Sequence, residues 1–450
     1  MAKIYFFIIF IISIFVCSFA PQKYNYEYSL YCAIAYWFNV TTYLVVKKKK
    51  NYFDFDNLFF VAFFFVTLYY SSVMYESDPY RYVFYKLYFN KNQIPLASGI
   101  ALLAINSYIF GAILIDEKTK NNFQKKNTKK INTTWLFAFS AILVILYIIS
   151  GGYNNLINEY IGGVESVNDS GVSSYFFAFF PAFLLLGIIA EFSNLKIENP
   201  EKFVITKASK FGIAITSIIF LMFFLVGSRT IPLQIILVCV GLYTLLFKPI
   251  GLSKFTIYIL SGFLVLSAIG YLRIALSNKN FSEKFHVEDS AMDLIINNRN
   301  SYILLDHVDK KGLSYGESML SPILAPLPFA QSLVIDIFKL NPDNMRSALI
   351  TTKDTFGKVG NWGLGTNIVA DVYLAFGILG VIILFLVMGY YVNRFRVNSG
   401  QSTITLVCYT ILLSYAVYLP RAEYFYFFRY FVWCIILLYI TLRLQKIKTK

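Results

Sequence analysis

The sequence predicts an all-α integral membrane protein with about twelve transmembrane helices, both termini on the cytoplasmic side, and one large polar loop late in the chain. Three observations predict it. Of the 450 residues, 57% are hydrophobic and only 14% charged, against roughly 25% charged in an average soluble domain. The apolar residues fall in repeated runs of up to twenty-five (Asn367–Tyr391), and about 20 residues at 1.5 Å each cross the hydrocarbon of a bilayer. The lysines cluster in short segments between these runs, as anchoring on the cytoplasmic side requires.

Taken in order, the apolar runs are Ile4–Ala20, Tyr28–Val46, Asn57–Tyr75, Ile94–Ile115, Leu136–Ser150 and Ser174–Ala190, then Phe211–Val226, Ile231–Phe247, Phe255–Leu272, Asn367–Tyr391, Thr403–Leu419 and Tyr430–Leu442. Ser18-Phe19-Ala20 resembles a signal-peptidase site, but with so many later runs an uncleaved first helix is expected. Charge sets the orientation. With the N-terminus inside, the block Lys47–Lys50, the loops Asp116–Lys130 and Glu191–Lys210, Lys248 with Lys254, Arg394 with Arg396, and the basic tail all fall in the cytoplasm. That puts roughly 23 Lys and Arg inside and about 7 in the short outer loops. The chain reads as one polytopic domain, 1–450, with a large periplasmic loop at 274–365. Within that loop Ser318–Leu340 is apolar but interrupted by Pro322, Pro326 and Pro328, so short interfacial helices are expected in place of one straight span.

The net charge of +15 is explained by these anchoring lysines, and nucleic-acid binding is not expected. The five cysteines lie in apolar runs without CxxC spacing, which argues against a disulfide framework or a zinc site. No internal repeat of the transporter kind is present.

The residues able to carry chemistry gather toward the outer side. Arg229 occupies the turn Gly227-Ser228-Arg229-Thr230 between two apolar runs. A snorkelling anchor is one reading. The other is a phosphate cradle, in which Gly227 and Ser228 open backbone N–H groups beside a bidentate cation. Arg273 has the same placement at the end of the ninth run, and Arg299, Arg346, Arg421 and Arg429 add positive charge to that side. His307, flanked by Asp306 and Asp309, is either a general base or a surface histidine; His286 reads as ordinary loop. The two histidines lack metal-ligand spacing, and no cofactor is implied. Asp371 lies one turn into an apolar run with Asn367 four residues before it, either a structural pair or a catalytic acid.

The outer Gly-Ser-Arg-Thr turn, the single large late loop, and the segment Gly363-Leu-Gly365 with Asp371, Phe376-Gly377 and Gly380 together resemble the Wzy-type O-antigen polymerases. The resemblance implies a GT-C-like glycosyltransferase of the bacterial inner membrane, working at its periplasmic face. A glycan on undecaprenyl pyrophosphate would pass to a new lipid-linked repeat unit without metal or nucleotide sugar, and a chain-length regulator would be a partner. Arg346 and Gly357 fit the family's Arg-x10-Gly pattern once. On this reading Arg229, Arg273, His307 and Asp371 are catalytic, and Ser228, Arg299, Arg346 and Asn367 bind substrate. Two alternatives share these features in part: an O-antigen ligase, and a lipid-linked oligosaccharide flippase.

Overall fold

The structure, a computed structural model, describes residues 2–116, 130–157, 172–262, 264, 289, 291–358 and 363–448. Arg273 and His286 lie outside them. Among the described residues there are helices and no strands. The apolar runs become α1 (Ala2–Ser18), α2 (Tyr26–Lys47), α3 (Phe55–Thr67), α4 (Gln93–Ile113), α5 (Thr134–Ile149), α6 (Val172–Glu198), α7 (Lys210–Val226) and α8 (Thr230–Leu246). The start of the ninth run is helix α9 (252–262). The polar interval supplies α10 (Asn297–Lys311), α11 (Ala330–Phe338) and α12 (Ser347–Phe356), and the last three runs are α13 (Ile368–Asn398), α14 (Thr403–Tyr415) and α15 (Phe428–Lys448).

Among the described residues five helices, α2, α4, α6, α13 and α15, are long and apolar enough to cross a membrane, and six more are apolar over 10–17 residues. Their outward faces are apolar as well. Ile12 on α1 is 53% exposed and Leu225 on α7 is 71% exposed, an arrangement costly in water and natural against lipid. The chain is therefore a multi-pass membrane protein.

At the centre α4 packs along α13. Gly111 and Gly389 let the two backbones touch: a Cβ on Gly111 would lie 2.1 Å from the Leu386 carbonyl oxygen, and one on Gly389 2.0 Å from that of Tyr108. Small residues permit such close approach where lipid offers no hydrophobic drive to association. α13 is two half-helices meeting at Gly377, whose φ of +64° and ψ of −156° suit glycine. The break frees the Leu374 carbonyl, which accepts from the Ser314 N–H at 2.9 Å and from its hydroxyl at 3.2 Å. The loop is thereby fastened to the first half-helix.

The lysine-rich end departs from expectation. Lys49, part of the block expected to mark the cytoplasmic side, has a buried ammonium, 2.6 Å from Asp54 and 2.7 Å from Asp56. Tyr43 and Tyr108 donate to Asp56, and Asn393 donates to it at 3.2 Å. Asp56, in the first turn of α3, is a buried acid within an apolar helix, as Asp371 is.

At the opposite end the loop helices form a platform. α3 ends in a π-helical turn, Tyr70–Met74, and the carbonyls freed near that end find partners. Asn298 donates to the Phe65 carbonyl at 2.7 Å and Asn367 to that of Val66 at 3.1 Å. Tyr70 and Tyr85 stack with centroids 3.6 Å apart, beside Tyr302 and Phe89. The proline-broken stretch forms Leu320–Leu324 and α11, on which Leu333 and Ile337 point outward.

Candidate active site

The turn joining α7 to α8 is built by a glycine cap. Gly227, at φ +92°, closes α7, with its N–H donating to Phe223 and Phe224 and the Ser228 N–H donating to Phe223 at 3.1 Å. Both amides expected to cradle a phosphate are therefore already bonded, and Ser228 is buried. That part of the expectation is overturned. What the turn does is bring out Arg229, the residue just before α8.

Arg229 forms an ion pair with Asp293, and the same carboxylate oxygen lies 3.9 Å from Nη1 of Arg421. The Arg421 guanidinium rests over the Tyr418 ring at 5.1 Å. All three charged residues line a cavity of about 420 Å³ between α3, α8, α9 and the turn after α14. A second cavity, of about 770 Å³, runs along α6, α7 and α8 from Phe203 and Ser209 at the lysine-rich end to Arg229. From Gly212 to Phe224 it follows twelve residues of α7, about 18 Å. Arg229 stands where the two meet. An apolar groove ending at paired guanidinia suits an amphiphile with a long hydrocarbon chain and an anionic head.

Two and three residues beyond Arg421 on the same turn, Glu423 and Tyr424 hold two more of the expected residues. Arg346 pairs with Glu423 at 3.0 Å. Glu423 is the main cause that pushes the guanidinium of Arg346 above its ordinary pKa. The Tyr424 N–H donates to Asp371 at 2.9 Å, whereas Oδ1 of this fully buried acid has no hydrogen-bond partner. The segment Arg421–Tyr424 thus joins Arg229, Arg346 and Asp371 into one region.

Other expected residues lie elsewhere or act differently. Arg299 is 1% exposed, donating to the Tyr88 carbonyl at 2.9 Å and to the Thr355 hydroxyl at 3.2 Å; burial lowers its pKa to about 10. It fastens α10 to its neighbours and is closed to a substrate. Asn367 is the N-cap of α13, its oxygen accepting from Val369 and Ala370 and its amide donating to Val66, and it is fully buried. It precedes the helix instead of sharing a helical face with Asp371.

His307 pairs with Asp354, not with the flanking acids: Asp306 bonds Asn90 and Lys310, and Asp309 bonds Gln93. Burial raises Asp354, but hydrogen bonds from His307 and Lys311 outweigh it and hold the carboxyl below its ordinary value. His307 follows Asp293 by fourteen residues along two successive helices, Met292–Ile295 and α10. The two side chains sit in separate pairings, His307 with Asp354 and Asp293 with Arg229. Among the described residues no three His, Cys, Asp or Glu side chains gather as metal ligands.

The family description for O-antigen polysaccharide polymerase Wzy matches residues 3–450. The chain belongs to this family. Comparison with curated proteins and with solved structures returns no match. Membership makes the chain an O-antigen polymerase of lipopolysaccharide biosynthesis, a membrane enzyme acting on lipid-linked oligosaccharide repeat units.

Sequence reasoning missed Asp293, Glu423 and Asp354, and took Arg421 only as diffuse charge. Arg421-Ala-Glu423 was a usable signal, a cation and an acid in a short aromatic segment. Asp293, one of ten acids in the polar interval, carried none.

Proposed function

We propose that the chain polymerises undecaprenyl-pyrophosphate-linked repeat units at the periplasmic face of the inner membrane, with twelve spans and both termini in the cytoplasm. The segment 274–365 is then the periplasmic platform. One observation carries this reading: Arg229 and Arg421 converge on a single carboxylate at the head of an apolar groove. In the reaction the bond from the donor's anomeric carbon to the pyrophosphate oxygen breaks, and charge builds on a leaving group that the two guanidinia can bind bidentately. The glycosyl–pyrophosphate bond already supplies the driving force, so this reaction draws on no nucleotide sugar. Arg346, held by Glu423, lies next along the turn, where the glycan would continue. Arg273 remains a proposed second contact to the pyrophosphate, and a chain-length regulator a proposed partner.

Arg229→Ala and Arg421→Ala should each abolish long-chain glycan while the protein remains inserted at normal abundance. Arg229→Lys should retain only a small part of the activity, because an ammonium keeps the charge and loses the bidentate geometry. An unchanged glycan ladder in both alanine variants would remove the arginine pair from the mechanism.

A further inference from the structure

Two arginines facing one carboxylate form a site already filled by an anion. Asp293 presents the oxygen nearest to both Arg229 and Arg421. All three side chains are partly open, between 27% and 35% exposed. A diphosphate entering the cavity meets this carboxylate where its own oxygens would go. Asp293 is also the only acid among the described residues lining the smaller cavity, and Glu191, in the larger one, lies at the far end. The other acids of the region are less accessible: Glu423 is 2% exposed against Arg346, and Asp371 is fully buried.

Resting on the reading above, we propose that Asp293 is the resident counter-ion of the arginine pair, displaced by the substrate diphosphate, and then the general base of the glycosyl transfer. While paired, one oxygen of Asp293 accepts from the Arg229 guanidinium and lies 3.9 Å from Nη1 of Arg421. Once the phosphate oxygens take the guanidinium N–H groups, the carboxylate is released beside the leaving group, close to the anomeric carbon. The acceptor hydroxyl oxygen then bonds that carbon, and the carbon–oxygen bond to the diphosphate breaks. Its electron pair leaves with the lipid diphosphate held by Arg229 and Arg421, and the hydroxyl proton passes to Asp293. The exchange ties full release of the carboxylate to donor binding.

The test uses the full-length protein in lipid nanodiscs, with polyprenyl diphosphate as the binding probe and a lipid-linked repeat unit as substrate. Asp293→Asn should bind the probe as tightly as wild type or tighter, by up to roughly tenfold, while turnover falls by about a hundredfold or more. Asp293→Glu should restore part of the turnover. Retained binding with undiminished turnover would leave Asp293 a counter-ion only and overturn its role as base. Loss of both binding and turnover in Asp293→Asn would make it a clamp that positions Arg229, and would overturn the exchange. Failure of the wild-type protein to bind the probe would refute the diphosphate site itself, and the inference with it.

Discussion

Glu423 is 2% exposed, whereas the side chain of its partner Arg346 is 41% exposed. This asymmetry makes the two halves of the pair unequal. Removing the arginine strands a buried carboxylate; removing the carboxylate leaves a cation that water can reach. Arg346→Ala should therefore destabilise the protein by about 2 kcal/mol, less than the 3–5 of a fully buried pair, and Glu423→Ala by clearly less. Thermal unfolding of the two variants in detergent checks this, and equal losses would contradict the burial argument. Such pairings could not be read in advance. Arg229 meets Asp293 across 64 residues, Arg346 meets Glu423 across 77, and Asp371 meets Tyr424 across 53. Which acid faces which arginine is decided by helix packing, about which local sequence pattern says nothing. Burial of Arg299 was hidden for the same reason, since it depends on the Tyr88 carbonyl and the Thr355 hydroxyl, both distant in the chain.

At the scale of elements, the helices were legible because each apolar run is long and bounded by charge or turn residues, and the helix ends fall within a few residues of most runs. Departures occur where the backbone leaves the regular helix: the break at Gly377, the π turn after α3, and the cap at Gly227 that uses the amides expected for phosphate. The block Lys47–Lys50 misled in a similar way. Composition marks four lysines as one anchor, but Lys49 turns inward and holds Asp54 and Asp56 at the junction of α2, α3, α4 and α13. Lys49→Met should cost about 3–5 kcal/mol, because two buried carboxylates lose their common cation. Replacing Lys50, which is exposed, by Met should change little. Heat-induced loss of monodisperse protein on size-exclusion chromatography separates the two, and equal behaviour would show that the buried network contributes no stability.

Over the whole molecule, fold class and family were legible from composition, run length and a few motifs, whereas the site was legible only in part. Arg229 was singled out for its place at the end of a membrane helix, and the structure puts it at the junction of two apolar cavities. The cavities lie among α3, α6, α7, α8 and α9, an arrangement that no hydropathy pattern encodes. The architecture divides into zones along the helices: a buried ionic network at the lysine-rich end, apolar cavities through the middle, and arginines beside the loop helices at the other end. A lipid-linked substrate fits that order from tail to head to glycan. The most direct test is the lipopolysaccharide ladder of a strain lacking this protein. The account predicts lipid A-core bearing a single repeat unit, with the full ladder restored by the wild-type gene and not by Arg229→Ala. Bare core with accumulating lipid-linked polymer, or no repeat unit on the periplasmic side, would contradict it.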